Sequence, residues 1–502
     1  MSAYKLALLA CVFSLASLKA AVPIPVTESN VYEFELNLTW ATSMTYKDSA
    51  GINWDVSLDK GELYYTPNLT KVILSKDEVV TLDGAQSTYI AINGQYPGPP
   101  IEVPLAIDDR YQDLSTQDPD VLNFPSDSHL INGRGRFGKN TAPLEIHRVE
   151  QGQEYLFRII NAGFDDEFEF SIDEHPLTVV GVEGCEIEPF VVDSVFLAVG
   201  ERMNVMITAD QPPGNYWVRY RAPDWLHSPR GFSILSYTNS SEDPVTSSKP
   251  CRDDNPCVSV NCPFHKAPGW ICIPMHHLNS TSYHAAEVEK IVGNATEYFF
   301  AFSSIHHHGI NGRSLILPPS NFYQDDYETA GTKCDEELCN NQSCQCTYVQ
   351  KLPRNHIIQM VITHTVLYPY VHTWHMHGYR FAVLKVVYPV KDNVTGLIHT
   401  RYKMDINCTN DFCYDAQWMR EELSYVPVHK PPLKDNLLIP NGGYAVIRIY
   451  TDNPGYWIAH CHQAAHLHLG MAMVFDVDGA SVKDTIPPNF PTCGDFIINP
   501  PQ

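Results

Sequence analysis

The stretch that is most informative about the fold lies near the C-terminus and reads Tyr456-Trp457-Ile458-Ala459-His460-Cys461-His462. Its aromatic and β-branched residues favour a β-strand. Successive side chains of a strand point to opposite faces of a sheet, so His460 and His462 share one face while Cys461 projects to the other. Three adjacent residues can therefore serve two separate metal centres.

Two further candidate ligands, His466 and Met471, follow this strand at short spacing. After a turn they can close around one metal ion together with Cys461. A thiolate, two imidazoles and a weak thioether are the ligand set of a blue copper site, because soft sulfur favours Cu(I) and imidazole suits both oxidation states. The segment is one imidazole short of this set.

A second histidine cluster upstream can supply the missing imidazole: His372-Thr373-Trp374-His375-Met376-His377-Gly378. His375 and His377 stand at strand alternation, so this cluster can also address more than one metal. The alternatives are a zinc site and exposed histidines without a partner. Zinc would have little use for a thioether ligand.

The rest of the chain has a β texture. Short runs rich in Val, Ile, Phe and Tyr predict strands at residues 154–160, 191–199, 204–209, 216–220 and 232–237, and again at 357–363, 379–387, 444–450 and 471–475. Turn signals separate these runs, and no long helical period is visible. The pattern predicts an all-β protein with successive sandwich or barrel domains.

The charge balance narrows the range of partners. The 502 residues include 34 Lys+Arg against 58 Asp+Glu, for a net charge of −24. Duplex nucleic acid and anionic membranes are polyanions that bind clustered basic residues, so neither is an expected partner.

The N-terminus predicts secretion. Lys5, an apolar stretch over 6–18 and small residues over 16–21 form the layout of a signal peptide. The alternative is a membrane anchor, but the apolar stretch is short for a span of about 20 residues. Sequons that fit a secreted glycoprotein occur at Asn37, Asn68, Asn239, Asn279, Asn294, Asn341, Asn393 and Asn407.

The cysteine count fits the same compartment. The chain has 14 Cys, and one of them, Cys11, lies in the predicted signal peptide. The remaining number is odd, so at least one cysteine has a role other than internal pairing. Cysteines within 251–272 and 334–346, together with Cys408 and Cys413, lie in turn-rich connections and predict disulfides. Cys461 is the exception, as a metal ligand.

The two histidine motifs resemble the C-terminal copper signature of the multicopper oxidases, and most of all that of the animal laccases. Further matches lie at residues 93–99, 130–135, 200–202, 216–217 and 261–264. The resemblance implies tandem cupredoxin-like β-domains, with a type 1 copper in the last domain and a trinuclear copper cluster between the first and the last. It also implies one-electron oxidation of phenols, diphenols or metal ions coupled to the reduction of O2 to water.

The same resemblance assigns roles to particular residues. It implies type 1 ligands at His372, Cys461, His466 and Met471, a type 2 ligand at His375, and type 3 ligands at His377, His460 and His462. Electrons would enter at the type 1 site and leave through Cys461 to its two histidine neighbours. Asp165 falls roughly where some laccases place an acidic residue that orients a phenol or an amine. A solvated acidic turn is the alternative for Asp165.

The sequence departs from the family in its first domain. Two histidine motifs that normally complete the trinuclear cluster are absent, and His129 is the only histidine between Ala21 and Ile146. A cupredoxin-like sandwich needs roughly 100 residues. We therefore expect a signal peptide at 1–20, an extension with a truncated first domain at 21–127, and complete second and third domains at 128–245 and 246–496.

Counting ligands gives the functional expectation. The type 1 site has its full set, whereas the cluster keeps four histidines, so copper-dependent oxidation is predicted with an impaired oxygen-reducing centre. The alternatives are an electron-transfer protein that uses only type 1 copper and a non-catalytic secreted glycoprotein. His276 and His277, the run 306–308 and His468 are expected at the surface, and His175 is expected to be structural. The oligomeric state stays open.

Overall fold

A computed structural model describes residues 128–136, 141–222, 230–238, 242–264, 266–303, 308–318, 322–323, 331–335, 337, 339, 344–364, 371–391, 398–400, 405–408, 413 and 416–485, together with the course of five strands within 43–110. The predicted signal peptide lies outside these residues. In the described part of the chain, no helix combines the length and apolar character that a membrane span requires.

The N-terminal strands form two small antiparallel ribbons, β1 (Ser43–Lys47) with β2 (Asn53–Ser57) and β3 (Val80–Thr81) with β4 (Tyr89–Ile90). The next strands form the second unit and are β5 (Ile101–Arg110), β6 (Ser128–Ile131), β7 (Ile146–Arg148), β8 (Glu154–Asn161), β9 (Phe168–Ile172), β10 (Leu177–Val182), β11 (Cys185–Val192), β12 (Ser194–Leu197), β13 (Arg202–Thr208), β14 (Asn215–Arg221), β15 (Arg230–Ser236), β16 (Cys257–Val260), β17 (Lys266–Ala267) and β18 (Trp270–Ile273).

Two sheets make up this second unit. The six-stranded sheet has the order β11-β10-β13-β8-β5-β6, and the eight-stranded sheet has the order β17-β18-β16-β12-β9-β14-β15-β7. Along β14, buried and half-buried side chains alternate, as expected where one face of a strand packs on a core. Phe157 on one sheet and Phe168 and Phe170 on the other belong to that core and are fully buried.

The third unit contains β19 (Thr296–Ser303), β20 (Gly309–Ile310), β21 (Arg313–Leu315), β22 (Cys344–Cys346), β23 (Val349–Lys351), β24 (Ile357–His364), β25 (His372–Met376), β26 (Phe381–Val387), β27 (Val390–Lys391), β28 (Ile398–Thr400), β29 (Ile406–Asn407), β30 (Gln417–Trp418), β31 (Leu433–Lys434), β32 (Asn436–Ile439), β33 (Tyr444–Tyr450), β34 (Gly455–Cys461) and β35 (Ala472–Val477).

An eight-stranded sheet, β22-β21-β20-β19-β24-β33-β26-β31, packs against a five-stranded sheet, β23-β35-β34-β25-β32. Phe300 of the first and Trp374 and Phe475 of the second meet in the core between the sheets. Helices are short: α1 (Ala285–Glu289), α2 (Ala464–His468) and 3-10 turns at Met275–His277, Ser282–His284, Glu421–Ser424 and Gly479–Thr485. The predicted tandem β-sandwich architecture is confirmed.

The predicted single strand over 191–199 is wrong. The chain leaves β11 at Val192 and enters β12 at Ser194, and these two strands lie in different sheets. Asp193 connects the two strands. Its N–H donates to the carbonyl of Val258 at 2.8 Å, and its carboxylate accepts the Val258 N–H at 2.8 Å, so both contacts hold the connection against β16. The apolar run is therefore continuous in sequence and is shared between two sheets in space.

Both sheets of the second unit extend past the predicted domain limits. β5 runs parallel to β8, with Ile101 opposite Tyr155, although it precedes residue 128. β16 runs parallel to β12, with Ser194 opposite Ser259, although it follows residue 245. The domain limits from the sequence stay predictions, and the sheets supply the more direct description.

The predicted disulfide loops are confirmed. Five bonds join Cys251–Cys257, Cys262–Cys272, Cys334–Cys346, Cys339–Cys344 and Cys408–Cys413. Among the described cysteines, Cys185 and Cys461 form no disulfide, and both are buried. Cys461 thus stays available as a thiol, as the sequence pattern predicts.

Candidate metal centre

Strand alternation places the candidate ligands on two faces of one strand pair. β25 and β34 run antiparallel, with Trp374 opposite Cys461 and His375 opposite His460. Residues that are directly opposite on an antiparallel pair share a face, so His375 and His460 point to one side. The sheet register therefore separates the candidate ligands into two groups.

The first group, here the donor triangle, consists of His372, Cys461 and His466. The Cys461 Sγ lies 3.6 Å from His372 Nδ1 and 3.5 Å from His466 Nδ1, and the two ring nitrogens are 3.1 Å apart. An ion with ligand bonds of about 2.0–2.3 Å in a trigonal arrangement places its donors about 3.5–3.7 Å apart. The two distances to Sγ fall in this range, and the shorter distance between the ring nitrogens corresponds to an angle of about 100° at an ion with bonds of about 2.0 Å. The three atoms can therefore bind a single metal ion.

The protonation preferences of the triangle follow from its burial. Burial, reinforced by the nearby rings of His364 and His308, holds the pKa of His372 well below its ordinary value. Burial likewise lowers the pKa of His466, and it raises the pKa of the Cys461 thiol to about 12. Neutral imidazoles can bind a metal directly, whereas the thiol must release its proton to the solvent when an ion binds.

The turn after β34 brings His466 and Met471 back to Cys461. α2 spans Ala464–His468, and the Met471 N–H then donates to the His466 carbonyl at 2.9 Å. The Cys461 N–H donates to the Met471 carbonyl at 3.0 Å. Met471 is fully buried in the hydrophobic core. The backbone thus holds Met471 directly against two members of the triangle.

The second group, here the four-histidine group, lies on the other face. It contains His375, His377, His460 and His462. The ring centroid of His375 lies 4.9 Å from that of His377 and 5.1 Å from those of His460 and His462. The Nε2 atoms of His460 and His377 are 3.4 Å apart. Four imidazoles therefore converge, with His377 exposed and His460 buried.

Backbone carbonyls orient two of these rings. His460 Nδ1 lies 2.8 Å from the carbonyl oxygen of Cys461, and His375 Nδ1 lies 2.9 Å from that of Asp435. A carbonyl can only accept, so Nδ1 carries the proton and Nε2 keeps a free lone pair in the neutral ring. This is the arrangement that positions histidine as a metal ligand through Nε2.

Side chains of the second unit bind the segment around Asp435, whose carbonyl oxygen accepts the hydrogen bond from His375. Arg202 binds the Asp435 carboxylate through two contacts of 2.5 and 2.6 Å. The Glu183 carboxylate accepts the N–H groups of Asp435 and Asn436 at 2.7 and 2.9 Å, and it binds Lys434 Nζ at 2.7 Å. Burial raises the pKa of Glu183 to about 7, although Lys434 opposes that shift.

Gly200 of the second unit lies against His462. Its φ is +82°, and a Cβ atom built on it would stand 2.6 Å from His462 Nε2 and Cδ2. Only glycine combines this left-handed backbone with such a close approach. The second unit therefore forms one wall of the four-histidine group.

Asp165 lies close to the donor triangle. Its charge raises the pKa of the Cys461 thiol further, after burial, and its carbonyl accepts from the Gln463 side chain at 3.1 Å. Its side chain is half-buried. A role for Asp165 in binding a donor stays a prediction.

Histidines outside the motifs divide into two kinds. The surface position of His468 and the structural role of His175 are as predicted: His468 is exposed, and the buried His175 contacts the Asp173 carbonyl and the Tyr237 hydroxyl, both at 2.7 Å. His129 is buried in the second unit against Asp166, at 3.1 Å.

Sequence reasoning missed three residues near the triangle. The ring of His308 stacks on that of His466 at 4.8 Å, and the ring of His364 lies 4.2 Å from that of His372. The predicted surface position is thus wrong for His308, because its ring packs on a candidate ligand. Gln463, the third, is buried beside Cys461. Its place directly after the His-Cys-His motif was the available signal.

Two family models match the chain, at residues 105–240 and 317–481, and both describe multicopper oxidases. Together they cover more than half of the sequence and include all residues of both groups. The chain belongs to the multicopper oxidase family. The resemblance predicted from the histidine motifs is confirmed, and copper binding is the property that this family implies.

Curated relatives agree with this family. The chain is 26% identical to Laccase-9 of Arabidopsis thaliana over 455 residues, which cover 79% of this chain and 71% of the relative. It is 29% identical to a laccase of Trametes hirsuta over 374 residues, which cover 72% of this chain but only 61% of that laccase.

Solved multicopper oxidases share the fold. The laccase from Botrytis aclada superposes with a TM-score of 0.53 at 21% identity, over 76% of this chain and 65% of that structure. Fet3p, a multicopper oxidase that functions in iron import, superposes with a TM-score of 0.57 at 19% identity, over 78% of this chain and 69% of that structure. The cupredoxin-like architecture expected for the family is thereby confirmed.

Proposed function

We propose that this chain is a laccase-like copper oxidoreductase whose working centre is a single type 1 copper held by the donor triangle. The observation that carries the proposal is the mutual spacing of His372 Nδ1, Cys461 Sγ and His466 Nδ1, at 3.1–3.6 Å in a buried site. When bound, the copper would accept and release single electrons. Met471, held against the same residues, would add a weak thioether ligand.

The chain's own residues prepare this site. Neutral His372 and His466 present lone pairs, and the thiol proton of Cys461 leaves when the metal binds. His466 is half-buried, whereas His372 is fully enclosed, so the His466 side is the candidate entry for a donor. Asp165, whose carbonyl accepts from the Gln463 side chain beside Cys461, is the candidate acceptor for a hydrogen bond from that donor. A phenol, a diphenol or a metal ion is the proposed donor at the half-buried His466.

The four-histidine group is the candidate remnant of the type 2 and type 3 sites. Covalent continuity of His460, Cys461 and His462 links it to the triangle. It offers His375 for the type 2 position and His377, His460 and His462 for the type 3 positions. The sequence lacks the first-domain motifs that would supply the remaining ligands. We therefore propose that reduction of O2 to water, the family's coupled reaction, is impaired in this chain.

A type 1 copper protein that only transfers electrons is the second candidate, because the sequence lacks the first-domain motifs that would complete an oxygen-reducing cluster. A secreted glycoprotein without catalysis is the remaining alternative. Secretion is proposed because the N-terminus resembles a signal peptide. Because the chain is acidic, we also propose that it binds neither nucleic acid nor membranes. The oligomeric state stays open.

Copper counting tests these proposals. The purified chain, loaded with Cu(II) and dialysed, is expected to hold about one tightly bound copper with an intense blue thiolate band. A colourless protein without bound copper would contradict the proposal and favour the non-catalytic alternative, and a colourless zinc protein would do the same. About four coppers with rapid catechol oxidation and oxygen uptake would overturn the proposed impairment.

A further inference from the structure

A glutamine side chain also faces the donor triangle. Gln463 directly follows the strand that carries Cys461 and precedes the helix that carries His466, and it is 3% exposed. A buried amide needs partners for both its oxygen and its nitrogen, because an unpaired polar group costs about 1–3 kcal/mol. The identity of those partners shows where each end of the amide points.

The amide nitrogen of Gln463 points away from the triangle. Nε2 donates to the carbonyl oxygen of Asp165 in the second unit at 3.1 Å. A carbonyl oxygen accepts hydrogen bonds and cannot donate, so this contact fixes which end of the amide is nitrogen. The next residue adds a second tie, since the Ala464 N–H donates to the Phe164 carbonyl at 2.9 Å.

The amide oxygen consequently points into the triangle. Oε1 lies 3.3 Å from His372 Nδ1 and 3.4 Å from Cys461 Sγ. In the metal-free protein it accepts hydrogen bonds there. Apart from the rings of His308 and His364, two residues with candidate donor atoms thus adjoin the triangle: Met471, bound through the backbone of Cys461 and His466, and Gln463 through its amide oxygen.

We propose that the Gln463 amide oxygen is an additional weak ligand of the type 1 copper, held in place by the hydrogen bond from its amide nitrogen to the Asp165 carbonyl oxygen. The proposal rests on the proposed type 1 site. Glutamine oxygen is an accepted axial donor in blue copper chemistry, and the axial ligand tunes the reduction potential. Because oxygen is a harder ligand than a thioether, Gln463 favours Cu(II) over Cu(I) and lowers the potential.

The tether makes the second unit part of the copper environment. Asp165 and Phe164 belong to the segment between β8 and β9, whereas Gln463 belongs to the third unit. The two hydrogen bonds fix the distance from the amide oxygen to the triangle. A substitution that removes the oxygen therefore changes the metal's ligand field without removing any of the three principal ligands.

The experiment compares three leucine variants of the copper-loaded chain. Gln463→Leu removes the amide oxygen, and Met471→Leu removes the thioether. Gln350→Leu removes a half-buried amide on β23, a strand of the sheet that also carries Cys461. The readouts are the position of the blue band, the copper hyperfine splitting in electron paramagnetic resonance, and the Cu(I)/Cu(II) ratio in a fixed redox buffer.

We expect Gln463→Leu to shift the band and the splitting and to raise the Cu(I)/Cu(II) ratio about tenfold, which corresponds to about 59 mV for one electron. Gln350→Leu is expected to match the unmodified chain. Spectra and ratio unchanged in Gln463→Leu would overturn the inference and leave Gln463 as a hydrogen-bond acceptor of the metal-free site. Absence of a blue band in the unmodified chain would instead overturn the proposed function.

If the leucine variant fails to fold, Gln463→Met keeps the length of the side chain and replaces the amide oxygen by a soft thioether. A thioether favours Cu(I) more than an amide oxygen does, so the Cu(I)/Cu(II) ratio is again expected to rise about tenfold. A folded methionine variant with an unchanged ratio and spectrum would also overturn the inference.

Discussion

The donor triangle and the four-histidine group lie on opposite faces of the same pair of strands, yet they differ in what holds them. His372 and Cys461 are no more than 1% exposed and pack in the core of the third unit. In the four-histidine group, His377 is exposed and His462 rests on Gly200 of the second unit. One pattern of alternation thus produces an enclosed site and an open one.

The difference teaches that ligand type and ligand enclosure are separate properties. The triangle obtains all three principal ligands from one sandwich, and the second unit reaches it through the Asp165 carbonyl, so its metal affinity depends mainly on the third unit. The four-histidine group depends on a second unit through Gly200 and through the contact of Arg202 with Asp435. Perturbations can therefore be directed at either group.

The largest expected effect comes from removing a ligand of one group at a time. Cys461→Ser is expected to abolish the blue band and the tight copper, because serine cannot provide the soft thiolate. His377→Ala is expected to keep both, since its exposed ring lies on the other face. Optical titration with Cu(II) measures the two outcomes. Loss of the blue band in His377→Ala would show that the groups are not separable.

The next effect concerns the buried ions beside His375. Lys434→Met removes the cation that lies 2.7 and 3.3 Å from the buried Glu183 and Glu201 carboxylates, and leaves Arg202 at 4.0 Å from Glu183. Breaking such a buried pair costs about 3–5 kcal/mol. Urea unfolding measures the loss.

Lys430→Met is the matched control, because it removes an exposed ion pair with Glu188. Equal stability of the Lys434 and Lys430 variants would contradict the view that the buried ion pairs stabilise the fold more than the exposed pair does.

Acid is expected to act on the second unit through His147. Burial lowers the pKa of His147 to about 4 from an ordinary value of 6.5, so the folded state prefers the neutral ring. Above pH 6.5 the ring is neutral in both the folded and the unfolded state, so His147 costs no stability. As the pH falls from 6.5 to 4, the ring is protonated in the unfolded state first, and the free energy of unfolding decreases by about 3 kcal/mol.

His147→Gln keeps a polar partner for Ser233 and does not titrate, so its free energy of unfolding should fall less over this range. Urea unfolding at several pH values measures the slope, with the exposed His356→Gln as control. Parallel slopes for the unmodified chain and His147→Gln would refute this origin of acid sensitivity.

The smallest expected effect separates backbone strain from contact with His462. Gly200→Ala and Gly152→Ala both place a side chain at a positive φ, +82° and +87°, which costs about 1–2 kcal/mol. Only Gly200→Ala also forces a Cβ to within 2.6 Å of the His462 ring, whereas nothing lies within 4 Å of the Gly152 position.

We expect Gly200→Ala to lose more stability than Gly152→Ala and to weaken copper binding by the four-histidine group, while the blue band persists in both variants. Thermal unfolding and copper titration measure these differences. Identical behaviour of the two alanine variants would mean that Gly200 does not shape that group.

Much of the candidate site could be predicted because its logic is local. The alternation of His460, Cys461 and His462 follows from strand geometry alone, and the sheet confirms it. The disulfides within 251–272 and 334–346 join cysteines that are close in sequence, so the composition of these loops was enough to predict them. The strand break at Asp193 was missed because an apolar run does not reveal which sheet each half joins.

The residues that packing brings in could not be predicted with equal success. His308 belongs to a histidine run that reads as surface, yet its ring stacks on His466. Gln463 stands next to a known motif, but the direction of its amide depends on the Asp165 carbonyl, which lies far away in the sequence. Such contacts join distant segments, and no local pattern encodes them.

The sequence by itself determined the family, the chemical types of the ligands and their division between two faces, because residue identity and strand periodicity are local properties. Only the tertiary structure decided that His372 meets Cys461 and His466 at bonding distances, that one group is enclosed while the other is open, and that the second unit reaches both. Those outcomes arise from sheet pairing and packing between units, whose energy comes from contacts between residues far apart in the chain.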